Sequence, residues 1–338
     1  MPYAQPWGFR PAWWLRNRHA QTIWRRLFGR SAGVPYRRER WDTPDGDFID
    51  LDWVESGAPD SQAPLMLVLH GLEGSSRAKY VVGLLDHAVG RGWDGVAMNF
   101  RSCGGELNRR PRFYHSGETE DLDFVVSRLA ARWPGRPLAL VGYSLGGNVL
   151  LKWLGERGEK VPDQVRAAVA VSVPYDLGVA AYRVDHGFGR VYGRVFLRTL
   201  KAKALAKAER FPGLVDPRLV RSLTSFAQFD EHVTAPIHGF AGARDYWTRS
   251  SSVPWLSEIC RPTLLISACD DPFLPSKHLP RDRVARSSSV ESEFTARGGH
   301  VGFVEGWWPG AASYWVDRRA TAFLEERMTH DAQSVHSR

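Results

Sequence analysis

Short continuous runs of apolar residues recur along this chain, and segments with helical periodicity separate them. The runs are of strand length and lie at 65–69, 95–100, 138–141, 167–173 and 263–268, and the mixed segment at 290–295 is taken as a last strand. Parallel strands that are buried on both faces of a sheet show this lack of alternation. Helical spacing marks 79–90, 118–132, 148–156 and 311–328. This order predicts an α/β fold, with a mostly parallel central sheet and helices on both faces.

Two parts of the chain do not follow this alternation of strands and helices. Residues 36–55 suggest early strands around a Pro-Asp-Gly turn at 44–46. About 85 residues, at 175–260, separate two predicted strands, which is far more than a crossover needs. We interpret this segment as a helical cap inserted over one edge of the sheet. The predicted organisation is an N-terminal arm at 1–34, a core formed by 35–174 and 261–328, the cap at 175–260, and a disordered tail at 329–338.

A Gly-Tyr-Ser-Leu-Gly sequence at 142–146 lies between a predicted strand and a predicted helix. In this context G-x-S-x-G is typical of a nucleophile elbow, in which a tight turn exposes a serine hydroxyl at the top of the sheet. The flanking glycines supply room that any Cβ would fill. Ser144 is therefore the candidate nucleophile, at the edge where open α/β sheets bind ligands.

A serine nucleophile needs a base, and the base needs a carboxylate that orients it. In this arrangement the chain order is nucleophile, acid, base. Two aspartates follow the strand at 263–268, and we favour Asp271 over Asp270 because its spacing to Pro275 matches the usual pattern at this strand end. Asp270 would then cap the turn. His300 follows two glycines in the loop after the last predicted strand and is the candidate base.

The same chemistry needs two backbone N–H groups that hold an oxyanion. Leu145 directly follows the nucleophile, and Leu72 lies in the loop at 70–76, after an earlier strand. We expect His70 to brace this loop by hydrogen bonding and not to act as a base. Phosphate binding by the loop is a weaker alternative, because no G-K-[ST] sequence follows it.

The chain has 338 residues and a net charge of +8, and nine of its arginines fall in the first 40 residues, beside Trp13, Trp14 and Trp24. A basic aromatic segment of this kind is compatible with nucleic acid or with anionic lipid. No nucleic-acid-binding motif accompanies it. We expect an arm that packs its tryptophans on the domain and turns its arginines outward, with peripheral contact to an anionic membrane as the alternative and no nucleic-acid partner.

The location and the cofactor requirement follow from what the sequence lacks. The N-terminus has no apolar stretch and cleavage site of a secretory signal. Cys103, Cys260 and Cys269 have no C-x-x-C spacing and suggest free thiols in a reducing compartment. The 11 histidines show no usual metal-binding spacing. We therefore predict a cytoplasmic protein, with membrane-peripheral attachment as an alternative, that uses no cofactor and no metal.

Three motifs together resemble the α/β-hydrolase superfamily: HGLEGSS at 70–76, GYSLGGN at 142–148 and GGHVGF at 298–303. Two further segments narrow the resemblance to the YheT-like hydrolases, which are related to the ABHD1/ABHD3 group. NRHAQT at 17–22 is similar to that family's N-P-H-x-Q-T segment, and NFRSCGGE at 99–106 is similar to its N-F-R-G-C-x-G-E block. The chain departs from these patterns at Arg18, where the family usually has Pro, and at Ser102, where it usually has Gly.

The resemblance implies the α/β-hydrolase fold and a serine esterase or lipase-like activity on acyl esters, and it supports Ser144, Asp271 and His300 as a triad. Some eukaryotic relatives act on phospholipids and carry a membrane anchor, which we do not expect here. We predict hydrolysis of a small-molecule or lipid-like ester through an acyl-enzyme. Acyl transfer by the same triad, phospholipase-like activity at a membrane surface and a non-catalytic binding protein are the alternatives. Six aromatic residues of the cap could line the acyl pocket, although core packing is the expected role of most: Tyr182, Phe188, Tyr192, Phe196, Tyr246 and Trp247.

Overall fold

The computed structural model describes residues 8–29, 34–57 and 63–335, with side chains as far as residue 328. Within these residues the main sheet has eight strands: β1 Arg37–Asp42, β2 Phe48–Val54, β3 Leu65–Leu69, β4 Asp94–Asn99, β5 Leu138–Tyr143, β6 Val165–Val171, β7 Thr263–Ala268 and β8 Val290–Thr295. Their spatial order is β1-β2-β4-β3-β5-β6-β7-β8. A small second sheet pairs β9 Val304–Glu305 with β10 Ser313–Tyr314.

One strand of the main sheet runs against all the others. The hairpin of β1 and β2 is antiparallel, and β2 is also antiparallel to β4. The remaining neighbours pair in parallel. Strands β3 and β5 are buried along their whole length, as expected for runs that do not alternate. The prediction of a mostly parallel sheet is therefore confirmed.

The helices in the described part of the chain include six that lie between β6 and β7. Their bounds are α1 Arg18–Phe28, α2 Lys79–Val89, α3 Glu120–Arg132, α4 Leu145–Arg157, α5 Leu177–Asp185, α6 Gly189–Arg210, α7 Pro217–Ser222, α8 Phe226–Phe229, α9 Ala235–Ile237, α10 Ala243–Ser250, α11 Arg281–Val284 and α12 Trp315–Val335. A π-helical turn, Asp230–Thr234, joins α8 to α9. The segment predicted as a cap is therefore mainly helical, and its longest helix is α6.

Helices cover both faces of the sheet. Since successive side chains of a strand point to opposite sides, each strand contributes to the packing on both faces. Leu65, Leu67 and Leu69 of β3 join a buried cluster with residues of α3 and α4. Met66 and Val68 of the same strand join a second buried cluster with residues of α2 and α12. The two clusters form the layers that hold the sheet between them.

Helices α4 and α12 differ most from their predicted bounds. Helix α4 begins at Leu145 and not at 148, because its first turn packs closely on β3: a Cβ at Gly146 would lie 2.5 Å from the carbonyl oxygen of His70. Helix α12 begins at Trp315 and continues to Val335. It therefore enters the tail that was predicted to be disordered, of which residues 336–338 lie outside the described residues.

The N-terminal arm packs on the core through α1. Trp14 and Trp24 are half-buried, pack beside Val304 and have ring centroids 4.7 Å apart. Trp13 is 66% exposed, so the expectation that the arm packs its tryptophans on the domain is wrong for Trp13. The expectation that the arginines point outward is wrong for Arg25, which is 3% exposed and ion-paired with Asp317. Residues 1–7 and 30–33 of the arm lie outside the described residues. In the part of the chain that is described, no helix combines the length and the apolar composition of a membrane span.

Candidate active site

Ser144 lies in the turn that joins β5 to α4, with φ 51° and ψ −118°. This positive φ is rare for an L-residue. Close packing around the turn explains why glycines flank it: a Cβ at Gly142 would lie 2.5 Å from the carbonyl oxygen of Gly146. The backbone N–H of Ser144 donates to the carbonyl of Val171 at 2.8 Å, so the strained residue is anchored to the neighbouring strand.

The structure brings the three predicted site side chains into one hydrogen-bonded chain. The Oγ of Ser144 lies 2.9 Å from Nε2 of His300. The Nδ1 of the same imidazole lies 2.8 Å from Oδ2 of Asp271. Because the Asp271 carboxylate is an acceptor, Nδ1 carries the proton and Nε2 is free to accept one from Ser144. The Asp271 side chain is only 2% exposed, and its Oδ1 accepts the N–H of Phe273 at 2.8 Å.

The two neighbouring aspartates have different contacts. Asp271 contacts the imidazole, whereas Asp270 accepts the backbone N–H of Gly299 at 2.9 Å and so holds the loop that carries His300. Burial and the nearby Asp271 carboxylate raise the pKa of Asp270, partly offset by that hydrogen bond. Asp270 thus stabilises a turn, as the sequence predicted, but the turn is that of the histidine loop.

The loop after β3 places Leu72 at the wall of the cavity that Ser144 also lines. His70 braces it as predicted: its Nδ1 donates to the Gly71 carbonyl at 2.7 Å, and its Nε2 accepts the N–H of Phe100 at 3.2 Å. Burial lowers the pKa of His70 to about 4, which keeps the ring neutral. The hydroxyl of Tyr80 accepts the N–H of Gly71 at 2.9 Å. These contacts fix the loop against β4 and α2.

The two candidate oxyanion donors have no competing acceptor among the described residues. Neither the N–H of Leu72 nor that of Leu145 donates a hydrogen bond there. Both residues line the same cavity as Ser144. Leu145 is the first residue of α4, where backbone N–H groups have no partner within the helix. Both groups are thus available to a ligand oxygen beside the Ser144 hydroxyl.

Helix α1 holds the histidine loop, a contact that the sequence analysis missed. The backbone N–H of His300 donates to Oγ1 of Thr22 at 2.9 Å. Gln21, fully buried, accepts the N–H of Val304 at 2.7 Å and donates to the Val304 carbonyl at 3.2 Å. The available signal was the polar pattern of the helix, in which Asn17, Gln21 and Arg25 recur at a spacing of four and so share one face. Such a polar stripe is unusual unless it has buried partners.

A cavity of about 910 Å³ opens onto Ser144 and His300. Its walls come from α1, from the loop after β3 and from the cap. Four of the six aromatic residues considered in the sequence line it: Tyr192, Phe196, Tyr246 and Trp247. The other two, Tyr182 and Phe188, are exposed. Only Tyr246 of the six is buried, so the expectation that core packing is the role of most of them is wrong.

Aromatic contacts connect the cap to the histidine. The ring of Tyr192 on α6 lies 5.0 Å from that of Phe273, and the ring of Phe273 lies 4.6 Å from His300, both edge to face. Phe273 thereby shields the imidazole on one side. The cap and the loop after β7 thus share the packing around the His300 imidazole.

An ion pair ties the cap to the loop after β3. The Nζ of Lys203 on α6 lies 2.7 Å from Oε1 of Glu73, which also accepts the Tyr114 hydroxyl at 2.8 Å. Glu73 has a positive φ of 54° and its side chain is 6% exposed. The partners compensate for the burial of this carboxylate. In the described residues, no group of three or more His, Cys, Asp or Glu side chains is placed to hold a metal ion.

Comparisons to known proteins agree with the fold. The family described as "alpha/beta hydrolase fold" matches residues 64–306. The chain therefore belongs to the α/β-hydrolase family. Among solved structures, the Pyrococcus furiosus esterase Pf2001 has a TM-score of 0.58 and 18% sequence identity, over 88% of this chain and 92% of that one, which supports the fold alone.

Two curated relatives place the chain within a branch of this family. It is 43% identical over 300 residues to "Putative esterase YheT" of Escherichia coli K12, which covers 88% of this chain and 87% of that protein. It is 31% identical over 326 residues to "Phospholipase ABHD3" of Mus musculus, which covers 95% of this chain and 79% of the relative. The branch is thus the YheT/ABHD3-related group, the one that the NRHAQT and NFRSCGGE segments indicate.

Proposed function

We propose that this protein is a serine hydrolase that cleaves carboxylic esters, with Ser144 as nucleophile, His300 as general base and Asp271 as the carboxylate that orients the base. One observation carries the proposal: the hydrogen-bonded chain from Ser144 Oγ through His300 to Asp271, at the wall of a large cavity. The esterase and phospholipase names of its relatives support the same class of reaction.

The reaction follows from the geometry in two halves. Ser144 Oγ attacks the ester carbonyl carbon while its proton passes to Nε2 of His300, and Asp271 stabilises the resulting imidazolium. The tetrahedral intermediate collapses when the imidazolium gives that proton to the departing alcohol, which leaves an acyl-enzyme. A water molecule, deprotonated by His300, then attacks the acyl-enzyme, and the acid departs as Ser144 recovers its proton.

The N–H groups of Leu72 and Leu145 would hold the oxyanion that forms in each half. Both lack a hydrogen-bond acceptor among the described residues, which supports this role. A preorganised donor of this kind contributes about 3 kcal/mol to the lowering of the barrier. His70 would affect the reaction only indirectly, because its hydrogen bonds fix the loop backbone that carries the Leu72 N–H.

The lining of the cavity suggests the substrate class. Most of the cap residues that face it are apolar, among them Leu177, Ala181, Val184, Phe196 and Leu200. A site of this size and character suits an acyl chain whose ester group reaches Ser144. We therefore infer a lipid-like or other apolar acyl ester as substrate, and phospholipid hydrolysis is the narrower form of this proposal.

The test is hydrolysis of p-nitrophenyl butyrate by the wild-type protein and by Ser144→Ala. The variant should lose at least about 10⁴-fold in kcat, because nucleophile and base act as a unit. A fluorophosphonate probe should label the wild type at Ser144 and leave Ser144→Ala unlabelled. Ser222→Ala, which removes an exposed hydroxyl of the cap, is the matched control and should behave as wild type.

Two outcomes would contradict the proposal. Turnover by Ser144→Ala at the wild-type rate would remove the nucleophile from the mechanism. Absence of both labelling and turnover in the folded wild type would favour a binding protein that retains the fold. Product analysis with added alcohols or thiols distinguishes hydrolysis from acyl transfer, since hydrolysis yields the free acid whether or not an acceptor is present.

A further inference from the structure

The opening of the cavity carries exposed apolar side chains from two helices. Ile23 and Leu27 of α1 are 40% and 58% exposed, and Val191 and Val195 of α6 are 50% and 41% exposed. All four also line the cavity that contains Ser144, so they must surround its entrance. We call these four residues the mouth rim. Exposed apolar residues that are contiguous and border a binding cavity mark an interaction site.

Two aromatic residues extend the mouth rim along the same helices. Phe28, the last residue of α1, is 62% exposed, and Phe188, directly before α6, is 55% exposed. Neither lines the cavity. Helix α1 therefore has an inverted pattern, with its polar Gln21 and Arg25 buried and apolar residues facing outward. Burial in the core does not explain the apolar residues of this outer face.

The charged side chains on the two helices of the mouth rim are almost all basic. Helix α1 contains no acidic residue, and α6 contains none before Glu209. Exposed arginines stand beside the rim on both helices, and none of them forms an ion pair with a described residue: Arg26, Arg190, Arg194 and Arg198. The acidic side chains that line the cavity, Glu73 and Asp230, are hydrogen bonded inside it.

The arginines of the β1–β2 hairpin provide a contrast. Arg38 and Arg40 belong to the same basic N-terminal region, but they pair with Asp52 and Asp50 across the hairpin. Their charge is neutralised within the fold. Among the described arginines of this region, four form no ion pair with a described residue: Arg10, Arg16, Arg18 and Arg26. The last two lie on α1, which borders the cavity, and their charge is available there to an anionic partner.

We propose that the mouth rim docks onto the surface of an anionic lipid bilayer, with Ile23, Leu27, Val191 and Val195 at the headgroup–acyl boundary and the arginines of α1 and α6 against the headgroups. Apolar insertion combined with basic residues is the mode by which amphipathic surfaces bind anionic membranes. A second copy of the chain fits this surface less well, because a two-fold contact would bring the same arginines together. An acyl ester would then pass from the bilayer into the cavity, a step that rests on the proposed function.

The test is co-sedimentation of full-length Ser144→Ala protein with vesicles, since binding needs no turnover. Vesicles of phosphatidylcholine with phosphatidylglycerol should bind the protein, vesicles of phosphatidylcholine alone should bind it at least tenfold less, and high salt should release it. Reversing two charges away from the cavity, Arg190→Glu with Arg194→Glu, should lower partitioning at least tenfold, since each basic residue near the surface contributes about fivefold. Phe28→Ser should weaken binding without altering its salt dependence.

The matched control is Arg286→Glu, at an exposed arginine after α11 whose side chain has no partner among the described residues, and this variant should bind vesicles as the parent does. Unfolding midpoints check that each variant is folded. The proposal is overturned if the two vesicle types bind equally, if the α6 double variant binds as the control does, or if sedimentation shows a dimer that Phe28→Ser abolishes. Vesicle binding by a protein that hydrolyses no ester would leave the docking surface standing and remove the proposed function.

Discussion

At the scale of the residue, Ser144 and Ser102, two of the three described serines with a positive φ, have different reasons for this conformation. Ser144 has φ 51° and Ser102 has φ 64°, and a strained residue of this kind costs about 1–3 kcal/mol. In Ser144 the strain presents Oγ to His300. In Ser102 the hydroxyl hydrogen-bonds Asn108, both at its side chain and at its backbone N–H. The positive φ at position 102 explains why the related family usually has glycine there, since glycine adopts this conformation without strain.

The buried Arg101 belongs to the NFRSCGGE segment, and its contacts are structural rather than part of the proposed ester hydrolysis. Its guanidinium, 2% exposed, contacts Asp45 and Asp47 in the turn of the β1–β2 hairpin and Asp121 at the start of α3. The three carboxylates share one cation, which lowers the penalty of burying the charges. The NFRSCGGE segment therefore ties the hairpin to a helix.

His70 makes a pH-dependent contribution to stability. Burial lowers its pKa to about 4 in the folded protein, against 6.5 for an unperturbed ring. Unfolding therefore takes up a proton between these values, and stability falls as the pH drops from 6.5 toward 4. Between pH 7 and pH 5 this group alone should remove about 2 kcal/mol from the free energy of unfolding. Denaturant unfolding at the two pH values measures the loss.

The comparison variant for this prediction is His70→Gln, because glutamine offers an acceptor and a donor but does not titrate. Its free energy of unfolding should fall less than that of the wild type between pH 7 and pH 5. His232→Gln, at an exposed histidine of the cap, controls for histidine replacement and should keep the wild-type dependence. An equal loss in His70→Gln and wild type would mean that His70 titrates normally in the folded state.

At the scale of the element, α1 has two functional faces. Its buried face carries Gln21 and Thr22, which hold the loop of His300. Its outer face carries Ile23 and Leu27 at the entrance of the cavity. One short helix therefore holds the loop of the proposed base and borders the entrance of the cavity.

Thr22 provides a test of the buried face as a positioning element. Thr22→Val keeps the shape of the side chain and removes the acceptor for the His300 N–H. The loss of one hydrogen bond is worth about 1 kcal/mol, so kcat for p-nitrophenyl butyrate should fall about fivefold. KM should change less than kcat, because valine nearly preserves the shape of the cavity wall to which Thr22 contributes, whereas the loop of His300 loses an anchoring hydrogen bond.

The conservative variant Thr22→Ser restores the hydroxyl and should restore kcat. A purely structural role would lower the unfolding midpoint of Thr22→Val and leave kcat of the folded fraction, titrated by fluorophosphonate labelling, at the wild-type value. That result would remove Thr22 from the positioning of the base.

At the scale of the whole molecule, the sheet and the core of the site could be predicted because their signals are local. An unbroken apolar run such as Leu65–Leu69 indicates a buried strand, and the candidate nucleophile, acid and base each follow a strand or lie beside glycines. The contact of Thr22 with His300 could not be predicted, because it joins residues 278 positions apart through an ordinary threonine. The helical cap could be predicted but its packing could not, since helical periodicity in α6 does not say whether Tyr192 faces solvent, core or cavity.

Because the arm, the core and the cap each supply part of one cavity, its depth is a property of the whole chain that one cap residue can change. Ala181 on α5 is 7% exposed and lines the wall, so Ala181→Trp should fill room for about three methylenes. At about 0.8 kcal/mol for each methylene, kcat/KM for p-nitrophenyl octanoate should fall about 50-fold, whereas that for the acetate should stay within about twofold. Leu219→Trp, on the exposed cap helix α7 and outside the cavity, should leave both unchanged. Equal losses for acetate and octanoate would instead show that the acyl chain does not occupy this wall of the cavity.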